Sequence, residues 1–149
     1  MTTLASALAN VSRIGLDTAP IIYYIEEHPL YLAVVAPVFA MIDTGSLRAV
    51  TSTVAVAEVS VMPLRLNRPD LQSQYLDLLL HSANFDTRVI DAELAQAGAA
   101  LRARYNIRLP DALQIAAALA AGCEAFLTND EGLKRVNEIS VLIVSDLEA

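Results

Sequence analysis

An α/β fold built on a parallel sheet is what this sequence predicts, and three observations carry that expectation. Short runs rich in β-branched and apolar residues alternate with longer helical runs along the whole chain. Prolines, glycines and capping residues mark the ends of most helical runs. No linker, repeat or low-complexity segment interrupts the alternation, so the 149 residues are expected to form one domain, residues 1–149, with a substantial core.

The elements follow in order. The start, "MTTLASALANVS", lacks the basic segment and long apolar run of a signal peptide, and is expected to be an N-terminal extension over residues 1–12. "RIGLD" (Arg13 to Asp17) reads as a first buried strand, and "TAPIIYYIEEHP" as a short helix stopped near Pro29. "LYLAVVAPVFAMIDTG" is apolar and helical, with a kink or break expected at Pro37 and a stop at Gly45. "RAVTS" is a second strand, after which Ser52 or Thr53 caps a helix that should end or bend near Pro63. Pro69-Asp70 opens the next helix, through "LQSQYLDLLLHS". "FDTRVI" is a third strand and "DAELAQAGAALRARYN" a helix capped by Asp91. Pro110 then opens "PDALQIAAALAAG", with Gly122 as its stop. "EAFLT" is a fourth strand, "NDEGLKRV" a turn and short helix, and "VLIV" a fifth strand.

Composition narrows the function classes. Hydrophobic residues at 55% and charged residues at 18% argue against disorder. The longest central uncharged run, Pro29 to Ile42, has 14 residues and contains Pro37, too short to span a bilayer. One cysteine, Cys123, excludes an internal disulfide and fits a reducing cytoplasm. With only His28 and His81 beside it, a zinc site of the usual Cys/His type has too few ligands, so any metal must be a hard ion held by oxygen. The net charge of −7 runs against nucleic-acid binding, which usually shows as a basic surface. Nine of the ten basic residues are nevertheless arginines, the better fork for phosphate.

The stretch "TSTVAVAEVSVMPL" holds a single charge, Glu58, among valines and alanines. On a helix, Val54 and Val61 share its face, so the carboxylate is expected in apolar surroundings that demand a partner. No lysine or arginine lies within a helical turn. In a parallel sheet with right-handed crossovers, the carboxyl ends of strands and the amino ends of helices share one rim, where ligands bind. Asp17 ends the first strand, Glu58 follows the second, Asp111 opens a helix, and Asp130 follows the fourth strand. Four carboxylates on one rim repel, and a divalent cation such as Mg²⁺ is the obvious way to hold them. Asp91 and Asp146 also follow strands. They fall at the sheet edges only if the fourth strand returns beside the first, an order that periodicity does not supply. Each acid also has a structural use. Asp17-Thr18 suits a helix cap, Asp111 a first-turn acid favoured by the helix dipole, and Asn129-Asp130 a turn. Only Glu58 has no routine structural role.

These residues resemble a known family. "IGLDTAPIIYYIEEHP", "TSTVAVAEVSVMPL", "IRLPDALQIAAALAAGCEAFLTND" and the closing "VLIV" look like the PIN domain, specifically the VapC-like toxins of bacterial toxin–antitoxin pairs, in order from about Ile14 to Asp146. The resemblance implies a three-layer α/β/α sandwich around a parallel sheet of about five strands in the order 3-2-1-4-5. It also implies a Mg²⁺- or Mn²⁺-dependent ribonuclease. The family's acidic quartet falls on Asp17, Glu58, Asp111 and Asp130, with Thr128 as the neighbouring hydroxyl. Similar proteins often form homodimers and are silenced by a small antitoxin. The first aspartate comes later here than in most members, and the acidic balance is unusual for an RNA binder.

The expected chemistry is metal-assisted phosphodiester hydrolysis, with Asp17 and Asp111 as direct ligands and Asp130 and Glu58 completing the site directly or through water. Glu58 is the candidate general base. Arg65, Arg68, Arg102, Arg104 and Arg108 are candidates for an RNA track, against ordinary surface ion pairs. Two other readings remain at this point: a PIN-like protein-binding module with weak catalysis, and an RNA-processing nuclease outside any toxin–antitoxin pair. A phosphoacceptor domain fits poorly, because the only lysine, Lys134, precedes the fifth strand instead of following it. The apolar stripes "YLAVVAPVFAMI" and "YLDLLL" are expected to be core, or a partner's seat where exposed.

Overall fold

In the computed structural model, which describes residues 1–149, seven strands and seven α-helices follow one another. They are β1 (Thr2–Thr3), α1 (Leu4–Ala7), β2 (Arg13–Leu16), α2 (Thr18–Ile25), α3 (Leu32–Thr44), β3 (Arg48–Ser52) and α4 (Thr53–Arg65). Then come α5 (Pro69–His81), β4 (Phe85–Arg88), α6 (Ala92–Tyr105), α7 (Leu109–Ala120), β5 (Ala125–Thr128), β6 (Ser140–Ile143) and β7 (Leu147–Glu148). Short 3₁₀ helices cover Glu131–Arg135 and Val144–Asp146.

The main sheet has five strands in the order β4-β3-β2-β5-β6, all parallel. Counted from the first of these five, that is the expected 3-2-1-4-5 order. Successive strand residues point to opposite faces. Ile14, Leu16, Ala49, Ala125 and Leu127 join a core with α1 to α5, whereas Val50 and Phe126 join a second core with α6 and α7. Helices therefore cover both faces, as a wholly parallel sheet requires. Gly15 lets the second layer come close. A Cβ there would stand 2.7 Å from the Ala118 Cβ and 2.8 Å from the Phe126 ring, so only hydrogen allows α7 to lie against the centre of β2.

One local expectation is corrected. Pro37 lies inside α3, which runs unbroken to Thr44 and closes on Gly45 at φ 82°. The expected end near Pro63 holds, since α4 stops two residues later at Arg65. The segment 1–12 is ordered and packs onto the domain. Thr2–Thr3 pairs in parallel with Leu147–Glu148, and Leu4 and Leu8, one helical turn apart, are buried in the main core. The "YLAVVAPVFAMI" stripe is largely core, with Val34, Val35, Val38, Phe39 and Ile42 buried, and of the apolar residues of "YLDLLL" only Leu80 is well exposed.

A candidate acidic active site at the carboxyl ends of the central strands

Strand β2 delivers Asp17 to the carboxyl edge of the sheet, where it caps α2. Its Oδ1 accepts from the Thr18 backbone N–H at 2.8 Å, and its Oδ2 accepts from the Thr128 hydroxyl at 2.7 Å. Thr128 ends the neighbouring strand β5. Its hydroxyl oxygen also accepts from the Asp130 N–H at 3.1 Å, tying the Asp130 turn to Asp17. Asp111 enters from the first turn of α7, behind a Pro110 start that costs no hydrogen bond.

Glu58 has its partner, and it is no cation. The Thr18 hydroxyl donates to Glu58 Oε1 at 2.7 Å. The Gln114 amide donates to the Thr18 hydroxyl at 3.4 Å, and the Ser52 hydroxyl donates to Gln114 Oε1. A chain of polar contacts thus runs from the end of β3 through α7 to Glu58. The expectation of an apolar pocket is corrected. Helix α4 buries Ala55, Val59 and Pro63, an i, i+4, i+8 stripe, so Glu58 is only half-buried and Val61 is exposed. Thr18, Ser52 and Gln114 were not singled out from sequence as site residues. The only signal for Gln114 was its place three residues after Asp111, on the same helix face.

The electrostatics agree with a shared site. Burial pushes the Asp17 carboxyl up; the hydrogen bonds from Thr128 and Thr18 oppose this, and the charges of Glu58 and Asp130 add to it. Asp111 is pushed up to about 6, mainly by burial and then by Asp17, with Arg108 opposing and Asp130 and Glu58 contributing. The other acids therefore bear on both Asp17 and Asp111. The edge acids behave as structural residues: Asp91 caps α6 through the Leu94 N–H, and Asp146 pairs with Lys134 at 2.6 Å.

The five arginines are not gathered with the acids. Arg68 pairs with Asp70 at 2.8 Å, and Arg65 is exposed in the last turn of α4. Arg102 donates to the Ile107 carbonyl at 2.6 Å. Arg104 lies 3.8 Å from Glu138 and over the Tyr105 ring. Only Arg108, which precedes α7, bears on Asp111.

Every potential ligand here is a carboxylate or hydroxyl oxygen, which suits a hard divalent cation and excludes a thiolate or imidazole metal centre. No three His, Cys, Asp or Glu side chains form a ready-made metal cage. An open set of acids is nonetheless what Mg²⁺ takes, since it keeps several waters and binds through one or two carboxylates. The raised Asp17 and Asp111 make no ion pair within the chain, and a cation would supply one. The donor set fits.

The PIN domain family model matches residues 14–139, and so covers four of the five sheet strands and all four acids. The chain belongs to the PIN domain family. Among solved structures, this PIN chain is similar to one in the complex of VapBC2 from Rickettsia felis with a DNA fragment from its promoter. There the identity is 18% over 88% of this chain and 98% of the other, with a TM-score of 0.69. It is similar to a chain of DNA-bound VapBC from Salmonella typhimurium (16% identity, 90% and 98% covered, TM-score 0.68). FitAB bound to an IR36 DNA fragment aligns at 21% identity, with 92% and 98% covered and a TM-score of 0.70. These likenesses establish the fold. No curated protein matches the chain.

Proposed function

We propose that this PIN protein is a Mg²⁺- or Mn²⁺-dependent endoribonuclease, the VapC-type toxin of a cytoplasmic toxin–antitoxin pair, acting as one folded unit over residues 1–149. The observation that carries the reading is the gathering of Asp17 from β2, Asp130 after β5, Glu58 from α4 and Asp111 from α7 at one rim, where Asp17 and Asp111 are buried and both raised. Such a cluster costs stability unless a cation joins it, so it argues for function over structure.

Asp17 and Asp111 would hold the cation, with Asp130 and Glu58 completing the set directly or through water. The bound ion would polarise the scissile phosphate and lower the pKa of a water molecule. The chain's own residues supply the rest. Thr128 fixes the Asp17 carboxylate through Oδ2, and Thr18 fixes Glu58 through Oε1. That leaves Glu58 Oε2 free to take the proton of the attacking water, the role of a general base. Attack by water needs no ribose 2′-hydroxyl, so the products would carry a 5′-phosphate and a 3′-hydroxyl.

A protein partner is part of the proposal. Val61, Met62, Leu64 and Leu66, at the far end of the Glu58 helix and just beyond it, are 43%, 51%, 64% and 57% exposed. That apolar end supports a protein seat, either for an antitoxin or for a second copy in a homodimer. No helix of the chain is long and apolar enough to cross a membrane.

The test is cleavage of single-stranded RNA with Mn²⁺ or Mg²⁺ and with a chelator. Activity is expected only with the ion, and Asp17→Asn or Asp111→Asn should each lower it about a thousandfold, the equivalent of several kcal/mol of lost charge stabilisation. Undiminished metal-dependent cleavage in both variants would remove the assignment. A parent protein that binds a partner but never cleaves would leave only a binding module.

A further inference from the structure

We infer that Tyr23, His28 and Tyr31 form a stacking site for a nucleobase next to the acids, supplying RNA affinity that this acidic protein does not draw from phosphate contacts. The inference rests on the ribonuclease reading. Three rings meet at the turn between α2 and α3: Tyr23 to His28 at 4.7 Å, Tyr23 to Tyr31 at 4.9 Å and His28 to Tyr31 at 4.8 Å between centroids. All three side chains are half-buried, unlike the core rings of Phe39, Phe126 and Tyr75. The cluster is held rigidly. His28 Nδ1 accepts from the backbone N–H groups of Leu30 and Tyr31, at 3.1 and 3.3 Å.

Two links connect it to the acids. Tyr23 lies six residues past Asp17 on α2, about 9 Å of helix rise. Its hydroxyl accepts from Asn129 Nδ2 at 3.1 Å, and Asn129 directly precedes Asp130 and follows Thr128, which holds Asp17. The rings are therefore within reach of a base that flanks the bond at the acids.

Charge gives the reason such a site is needed. The chain carries −7, and Arg68, Arg102 and Arg104 each already serve a protein acceptor or carboxylate. Aromatic stacking binds single-stranded bases of any sequence, through a contact that needs no basic side chain. Packing of the α2–α3 corner is the competing use, and it would be served equally by any apolar side chain of similar volume.

The experiment uses short single-stranded oligouridylates carrying one 2-aminopurine, bound in chelator to the full-length Asp111→Asn protein, with fluorescence and Kd as readouts. Quenching is expected at one nucleotide position. Tyr31→Phe should keep both quenching and Kd, whereas Tyr31→Leu should abolish quenching and weaken binding roughly tenfold, the loss of one stacked base. The melting temperatures of both variants should stay near the parent's. Unchanged quenching and affinity in Tyr31→Leu would overturn the stacking site and leave the cluster to packing or a protein partner. Absence of RNA binding in chelator would overturn this inference, and absence of cleavage by the parent with Mn²⁺ or Mg²⁺ would overturn the ribonuclease reading on which it rests. Metal-dependent cleavage with no quenching at any position would overturn the stacking site alone.

Discussion

The two ends of the β2–β5 pair treat their acids in opposite ways. At the amino end, Glu124 stands just before β5. It accepts from the Ser12 and Arg13 N–H groups at 3.1 and 2.8 Å and from the Ser12 hydroxyl at 2.9 Å. These bonds, led by that from Arg13, hold its carboxyl below the usual range. At the carboxyl end, Asp17 and Asp111 are held above it by burial and by neighbouring negative charge. The amino end thus holds an acid that the chain stabilises as an anion, whereas at the carboxyl end burial and like charge outweigh the bonds that Asp17 accepts from Thr18 and Thr128. Structural acids have their charge favoured by the protein; a cluster whose charge is disfavoured is arranged for something that arrives later.

The contrast can be broken by pH. Asp111 is raised to about 6 in the folded protein against about 4 when unfolded, so between these values the native state holds the extra proton. Its contribution to stability is therefore present at low pH and is lost as pH rises through about 6, up to roughly 3 kcal/mol. Glu124 runs the other way, because its lowered carboxyl adds stability that disappears only on acidification. Urea unfolding in chelator should show Asp111→Asn gaining on the parent from about pH 4 to about pH 6 and levelling off above. A constant difference across that range would show that Asp111 is not strained by its surroundings.

A smaller effect separates the hydroxyl–amide chain from the acids. Gln114→Leu leaves the Ser52 and Thr18 hydroxyls without their buried partner and should cost about 1–3 kcal/mol in urea melts. It should also lower kcat more than it raises KM, because Glu58 loses support through Thr18. A variant with parental kcat would reduce the chain of contacts to packing. Smallest of all, Glu124→Ala should cost about 1 kcal/mol and leave cleavage per folded molecule unchanged, since its bonds are solvent-exposed. Loss of activity there would blur the distinction between the two ends.

Much of this was legible in the sequence, and the exceptions have physical causes. The five central strands follow from alternation of period, and the candidate acids from where strands end, but narrowing them to four takes the strand order. The strand order came only with the family resemblance, because periodicity says nothing of which strands are neighbours. The termini escaped notice because β1 and β7 are two residues each, too short for any pattern, and their pairing joins opposite ends of the chain. Glu58 was read into an apolar pocket because Val54 and Val61 look like a core stripe. The buried stripe is Ala55, Val59 and Pro63, one position over, and a helix alone cannot say which face its sheet will cover. The spread of the arginines was equally hidden. Whether Arg102 serves a phosphate or the Ile107 carbonyl depends on a loop five residues away that only the fold positions.

Thermal melting of the parent and Asp111→Asn, each in chelator and in excess Mn²⁺, tests the acid cluster most directly. The account predicts that at neutral pH the variant melts above the parent in chelator. It also predicts that Mn²⁺ at about a hundredfold over its Kd stabilises the parent by roughly 3 kcal/mol while scarcely moving the variant. A parent that melts higher without metal and does not respond to it would contradict the claim that these carboxylates are gathered for a cation.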